Sequence, residues 1–300
     1  MNVPDFLVVG TARAGTTSLH HHLKQHPGIF LPRQKEPCFY CFAGKKPVYK
    51  NGKFAFAVTD PIAYRKLYED ATIHQVTGDI STPYLYLHKE TISNIYHYHS
   101  RPETIKIIII LRNPIERAYS QFLWKVRDGR ESLSFDEAIL QEQQRMKENY
   151  SFDYFYAHRG LYYQQVKNYL DNFHSVKVIM YDNFLEDFEN TMKSICSFTG
   201  ASDNFVFTKL EQVNRSGIPR FSALGKIVTM ESRLKFRMLN YLPENVRLGV
   251  KEVFNKFNTS RKLPASISMQ TRKYLVDFYR EDITKLGQLL GKNLFHWLSV

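Results

Sequence analysis

Cysteine is scarce in this chain of 300 residues: Cys38, Cys41 and Cys196 make an odd set of three, which excludes a disulfide framework and suits a reducing compartment. Cys38 and Cys41 stand as C-x-x-C, but no second pair or histidine at ligand spacing completes a zinc site, so both read as small apolar residues and no metal is expected. Long apolar runs are missing as well. Even the aliphatic run at residues 107–111 falls far short of the roughly 18 residues that span a bilayer. Positions 1–4 run straight into a strand pattern without the layout of an export signal, so a soluble, cytoplasmic protein with no membrane partner is expected. Acidic residues are outnumbered, 29 against 41 lysines and arginines, for a net charge of +12, which favours anionic ligands. Blocks of roughly five like charges are absent, so the charge is a general field with local sites, and no nucleic-acid partner is expected. Repeats, low-complexity tracts and Pro/Gly-rich linkers are lacking too, and a hydrophobic content of 43% suffices for a full core, so residues 1–300 are read as a single domain.

What is present is alternation of strand and helix patterns. Strands are predicted at 6–9, 75–79, 105–111 and 176–180, and helices at 17–25, 89–99, 114–126, 135–147, 161–173, 188–199, 244–257 and 269–290. Continuous apolar character in the strands implies an α/β fold, a central parallel sheet flanked by helices on both faces, with 105–111 (I-K-I-I-I-I-L) at its centre. Ligands bind such sheets beyond the C-terminal strand ends, where Gly10, Asp79 and Arg112 would cluster.

The first strand runs into G-T-A-R-A-G-T-T-S at 10–18, a glycine-bracketed turn opening a helix. Gly10 and Gly15 allow the backbone to bend and approach a ligand, the amides of Ala14 to Ser18 point from the helix N-terminus, and Arg13, Thr16, Thr17 and Ser18 add side-chain donors. The spacing is close to the phosphate loop G-x-x-x-x-G-K-[ST], but Thr16 holds the lysine position and the cation has moved back to Arg13. That shift argues against an ordinary ATPase or GTPase.

A second anion site is written at 111–120, L-R-N-P-I-E-R-A-Y-S: Arg112 leaves the end of the buried strand, Asn113 can cap the helix, Pro114 suits its first turn, and Ser120 lies two turns in. The loop N-R-S-G-I-P-R at 214–220 carries two more arginines and can close over the same ligand. The run His20-His21-His22 cannot converge on one ligand, because adjacent helical residues point in different directions.

In this order, the three segments resemble those of sulfotransferases that use 3′-phosphoadenosine 5′-phosphosulfate (PAPS), of bacterial and heparan type. R-G-L-Y-Y-Q at 159–164, M-Y-D-N-F at 180–184 and the segments around Tyr279 and Trp297 have counterparts there too. The resemblance implies a phosphosulfate-binding loop of P-loop type and assigns Arg13, Ala14, Gly15, Thr16, Thr17 and Ser18 to the 5′-phosphosulfate, Arg112 and Ser120 to the 3′-phosphate, and Arg215, Ser216 and Gly217 to a covering loop. K-E-P-C-F-Y at 35–40 resembles the family's K-E-x-x-F-F, whose glutamate is the catalytic base, a role that falls to Glu36. Tyr163 is carried over to the acceptor channel, and Lys35 and His158, the latter just before Arg159 and Gly160, are further candidates for touching the acceptor. Two departures stand out: Arg13 replaces the loop lysine of many members, and Ser81 stands where heparan-type enzymes have a second lysine, for which Lys35 can compensate.

The implied reaction is in-line transfer of a sulfuryl group from PAPS to the hydroxyl, less readily the amine, of a small-molecule, natural-product, lipid or saccharide acceptor, with no metal and no implied oligomeric state. Glu36 takes the acceptor's proton, and Arg13, Thr16 and the helix amides stabilise charge on the bridging oxygen as it leaves. The alternative is an ATP-dependent small-molecule kinase with a divergent P-loop and Asp79 as its acidic metal partner. A basic RNA- or membrane-binding protein is a further rival, with the aromatics at 150–156 as base-stacking surface.

Overall fold

The computed structural model describes residues 3–52, 54–208 and 266–299, together with the backbone of 218–219 and 259–260. Five parallel strands, β1 (Phe6–Gly10), β2 (Ile29–Phe30), β3 (Val76–Ile80), β4 (Lys106–Leu111) and β5 (Ser175–Met180), form one sheet in the order β2-β3-β1-β4-β5. A separate antiparallel pair joins β6 (Ile218–Pro219) to β7 (Thr259–Ser260).

Successive strand residues face opposite sides, and here both sides are apolar. Leu7, Val9, Ile107, Ile109 and Leu111 enter the larger core, while Phe6, Val8, Ile108 and Ile110 enter a second core on the other face. Residues 107 to 111 are all fully buried. At about 2 kcal/mol for each large aliphatic side chain removed from water, that one strand contributes on the order of 10 kcal/mol, and a charged substitution at Ile108 would break it.

The larger core is covered by α2 (Phe39–Phe42), α3 (Pro61–Lys66), α4 (Pro83–Tyr86), α5 (His88–Tyr98), α6 (Pro114–Arg127), α7 (Phe135–Leu140), α8 (Glu142–Lys147), α9 (Tyr162–Asn172) and α12 (Met269–Leu290), the smaller one by α1 (Thr16–Leu23), α10 (Tyr181–Glu186) and α11 (Phe188–Thr199). Local chemistry sets the helix starts. The Asn113 side chain accepts from the amides of Ile115 and Glu116 with Pro114 in the first turn, Ser134 and Glu137 form a reciprocal capping box, and Ser268 caps the amide of Thr271. Leu275, Val276, Tyr279, Ile283 and Leu286 of α12 are buried in the same core as the sheet. No helix among the described residues is long and apolar enough to cross a membrane.

The parallel sheet flanked by helices agrees with the sequence expectation. Two local differences have physical causes. The single helix expected at 135–147 is two, broken at Gln141, and the break turns the buried Glu142 carboxylate inward to accept from the amides of Ala157 and His158, both at 2.7 Å. β2 is too short, at two residues, to carry a period. The helix expected at 244–257 lies outside the described residues.

β1 sits between β3 and β4, so the chain segments leaving these three strands emerge side by side at one sheet end, where the strand order reverses.

Candidate active site

The loop after β1 is tied to the sheet by the Thr11 amide, which donates to the Ile110 carbonyl of β4 at 2.7 Å. Gly10, at φ 150°, packs so closely on α4 that a Cβ there would stand 2.8 Å from Leu85 Cβ and 3.2 Å from the Thr82 carbonyl oxygen. Arg13 and Gly15 are left-handed, at φ 71° and 79°, and a Cβ on Gly15 would meet the Tyr181 ring at 2.9 Å. No side chain caps α1 and its first turn holds no acidic residue. Its leading amides therefore face an open cradle suited to an anionic group. Thr16 and Ala14 are buried beneath it.

The second anion segment meets the first directly. Arg13 Nε donates to Ser120 Oγ of α6 at 3.1 Å, and an Arg112 terminal nitrogen donates to the Arg13 carbonyl at 2.9 Å. Arg112 also lies over the Tyr181 ring at 5.0 Å, and its carbonyl accepts from the Tyr162 hydroxyl at 3.0 Å. Burial, followed by the charges of Arg127 and Arg112, pushes Arg13 down to about 10. Three guanidinium groups thus crowd one corner, a concentration of positive charge that a multiply charged anion would relieve. Arg127 was not singled out in the sequence. The signal was available, since it lies seven residues beyond Ser120 on the same helix and therefore on the same face.

The K-E-P-C segment meets the first turn of α1 through Lys35. Glu36 and Cys38 both adopt left-handed backbone, φ 56° and 57°, around Pro37. Asp79 at the end of β3 holds this turn from below. Its carboxylate accepts from Ser81 Oγ at 2.6 Å, Tyr84 hydroxyl at 2.6 Å and Tyr64 hydroxyl at 2.8 Å, and Ser81 Oγ in turn accepts from the Cys38 amide at 3.1 Å. Asp79 is fully buried, and that burial pushes its carboxyl up to about 6 against the lowering effect of the three hydroxyls. The Glu36 carboxylate stands at the mouth of the site with its side chain 25% exposed, 3.5 Å from Lys35 Nζ and accepting from Thr82 Oγ1 at 3.4 Å. Lys35 Nζ donates to Thr17 Oγ1 in the first turn of α1 at 2.6 Å.

Arg13, Gly15, Thr16, Thr17, Lys35, Glu36, Arg112 and Ser120 are thus brought together. Ser18 belongs to the same helix turn, but its carbonyl and hydroxyl lie 2.7 and 3.3 Å from His22 Nδ1. His158 pairs through Nδ1 with the Tyr86 hydroxyl at 2.9 Å, and burial lowers its pKa, favouring the neutral ring. Tyr86 lies one turn along from Thr82, the partner of Glu36. Tyr163 faces elsewhere: its amide donates to Asp282 and its ring lies 5.9 Å from Lys285, both on α12. Its neighbour Tyr162 touches Arg112 instead. Arg215, Ser216 and Gly217 lie outside the described residues, as does Arg220. His20 is buried and pushed down to about 3 by that burial first, so it stays neutral. The metal partner of the kinase reading, Asp79, is sealed under its three hydroxyl donors and cannot face a ligand.

Residues 4–204 match the model of a family described as the sulfotransferase family. Carbohydrate sulfotransferase 15 of Mus musculus is 23% identical over 332 aligned positions, covering 98% of this chain and 54% of its own length. Membrane-associated sulfotransferase kil1 of Dictyostelium discoideum is 28% identical over 129 positions, 42% of this chain and 24% of its own length. The chain therefore spans about half the length, or less, of these curated relatives. Among solved structures, a sulfotransferase from Alicyclobacillus acidocaldarius superposes with a TM-score of 0.75 at 27% identity over the whole of both chains. A sulfotransferase domain from the curacin biosynthetic pathway, with a TM-score of 0.51 at 13% identity over 98% of this chain and all of that one, shares the fold.

Proposed function

This chain belongs to the sulfotransferase family, and from that membership we propose an enzyme that transfers the sulfuryl group of PAPS to an acceptor hydroxyl. One observation carries the choice of donor: Arg13 Nε on Ser120 Oγ, and Arg112 on the Arg13 carbonyl, join the loop after β1 to the loop after β4 as a single cationic site. A nucleoside phosphorylated at both its 3′ and 5′ positions presents two anionic ends, and two adjoining anion sites suit it. ATP concentrates its charge at one end and would use only the first.

In this reading the uncapped amides of α1, with Thr16 and Thr17, hold the 5′-phosphosulfate, and Arg112 and Ser120 hold the 3′-phosphate, covered by Arg215, Ser216 and Gly217. Arg13 spans the two. Glu36 accepts the acceptor's proton as the new O–S bond forms, while the electron pair of the broken S–O bond passes to the bridging phosphate oxygen, where Arg13 and the helix amides meet the charge. Preorganised donors of this kind are worth about 3 kcal/mol each in comparable oxyanion sites. The left-handed backbone at Glu36 and Cys38, clamped through Ser81 to Asp79, sets the base before any acceptor arrives.

For the acceptor we propose a small molecule presented at the wall formed by Tyr86 and Phe152, whose rings lie 5.7 Å apart, with His158 beside it. Saccharides are the first acceptors to assay with labelled PAPS, because one relative is named a carbohydrate sulfotransferase. We place the enzyme in the cytoplasm on its composition, which cell fractionation tests. The donor is tested by thermal shift with adenosine 3′,5′-bisphosphate (PAP) against ATP plus magnesium. A ligand at 100 times its dissociation constant stabilises by about 2.7 kcal/mol, and stabilisation by ATP–magnesium alone would reject the reading.

A further inference from the structure

We infer that Lys35 is a catalytic residue, its ammonium group binding the sulfuryl oxygens between the donor loop and the base, an inference that rests on the donor reading above. Lys35 Nζ touches both ends of the reaction path. It is 2.6 Å from Thr17 Oγ1, in the helix turn where the leaving phosphate oxygen is received, and 3.5 Å from the Glu36 carboxylate, where the acceptor's proton goes. In an in-line displacement the nucleophile and the leaving oxygen lie on opposite sides of sulfur. A group in contact with the residues serving both therefore lies beside the plane of the three non-bridging oxygens.

The neighbouring candidates for this task are engaged elsewhere. Arg13 has turned its Nε to Ser120, so among the described residues the side-chain cation hydrogen-bonded to the first turn of α1 is Lys35. Ser81 is fully buried, donates to Asp79 and accepts from the Cys38 amide. An ammonium carries three rotatable donors. Thr17 takes one, and Glu36, at 3.5 Å, is an ion-pair neighbour beyond normal hydrogen-bond length, which leaves donors for the sulfuryl oxygens. The bonding changes balance without proton transfer from the lysine: the acceptor O–S bond forms, the S–O bond to phosphate breaks with its electron pair on the phosphate oxygen, and the acceptor's proton passes to Glu36. Lys35 keeps its charge throughout and holds the oxygens as they flatten.

The ordinary alternative is a partly exposed Lys–Glu pair with no part in the reaction. Donor and product separate the two, because PAP lacks the sulfuryl group that PAPS carries. Calorimetric titration of Lys35→Met with both nucleotides is expected to weaken PAPS binding about tenfold or more, as for a lost hydrogen bond to a charged group, while PAP changes less than about twofold. Lys35→Arg should recover part of the loss. Equal weakening of both nucleotides, or no change in either, would overturn the inference. Lys35→Gln gives the same comparison if the methionine variant does not fold. A wild-type chain that bound neither nucleotide would instead reject the donor reading, so the two failures are told apart by the unsubstituted protein.

Discussion

Replacing Arg112 by Ala isolates one end of the proposed donor. The substitution spares the Arg112 carbonyl, which still accepts from Tyr162, and the Asn113 cap that starts α6, so strand and helix should survive. It removes the donor to the Arg13 carbonyl at 2.9 Å and the cation over the Tyr181 ring at 5.0 Å, together worth about 1 to 2 kcal/mol to the loop. It also removes the proposed charge-assisted bond to the 3′-phosphate, about 1.5 to 3 kcal/mol. The second effect falls only on ligands with that phosphate. PAP should bind about 10- to 150-fold more weakly, since 1.4 kcal/mol is tenfold, whereas adenosine 5′-monophosphate should change by only a few fold. Isothermal titration of both nucleotides, with a thermal melt to confirm folding, measures the difference. Equal losses would mean that Arg112 serves only to shape the loop. Unchanged PAP affinity would put the 3′-phosphate elsewhere.

Glu36→Gln should lower turnover with labelled PAPS by about 100-fold or more, the usual contribution of a positioned base, and leave PAP affinity within about twofold; normal turnover would remove Glu36 as the base. Gly15→Ala places a Cβ 2.9 Å from the Tyr181 ring on left-handed backbone, at a combined cost of about 2 to 4 kcal/mol, so both the denaturation midpoint and PAP affinity should fall, and an unchanged midpoint would contradict the close packing described. Asp79 and Asp282 are both pushed from an ordinary 3.8 up to about 6, by burial first. At these two sites the folded chain holds more protons than the unfolded one between about pH 4 and 6, so their own contribution to stability falls as pH rises through that window and is level above it, opposed by the contribution of His20, whose lowered pKa gives the opposite slope. Asp79→Asn should flatten part of that slope in urea titrations at stepped pH, and an unaltered slope would show that Asp79 does not titrate there.

The sheet was legible because β4 is a run of aliphatic residues that only a doubly covered strand can bury, and the helices because their caps are local: Asn113 with Pro114, Ser268, and Ser134 with Glu137. The turn after β1 and the helix start after β4 were legible for the same reason, since glycine spacing and a helix N-terminus are properties of a few consecutive residues. What escaped was long-range. Arg13 reaches Ser120 across 107 positions, so a reading by segments sends the two to opposite ends of the donor when they are in hydrogen-bond contact. Lys35 meets Thr17 only because the chain returns through β2 and places 35–38 over the first turn of α1, and nothing in K-E-P-C forecasts that neighbour.

Asp79 shows most plainly what such a reading loses. An acidic residue at the end of a strand beside a phosphate loop has the sequence position of a metal ligand, which is how the kinase alternative used it. Folded, it has three hydroxyl donors and no exposed surface, and its charge is spent on holding Ser81, which holds the Cys38 amide. Tyr64 belongs to α3 and Tyr84 to α4, so this single buried carboxylate fastens two helices and the base turn to the end of β3. That coupling explains why Glu36 can keep a left-handed backbone on an otherwise partly exposed segment. In the proposed reaction Asp79 is therefore a positioning group for Glu36. The Asp79→Asn variant should consequently lower turnover more than PAP affinity, because the cradle at α1 and the Arg112 corner do not depend on it.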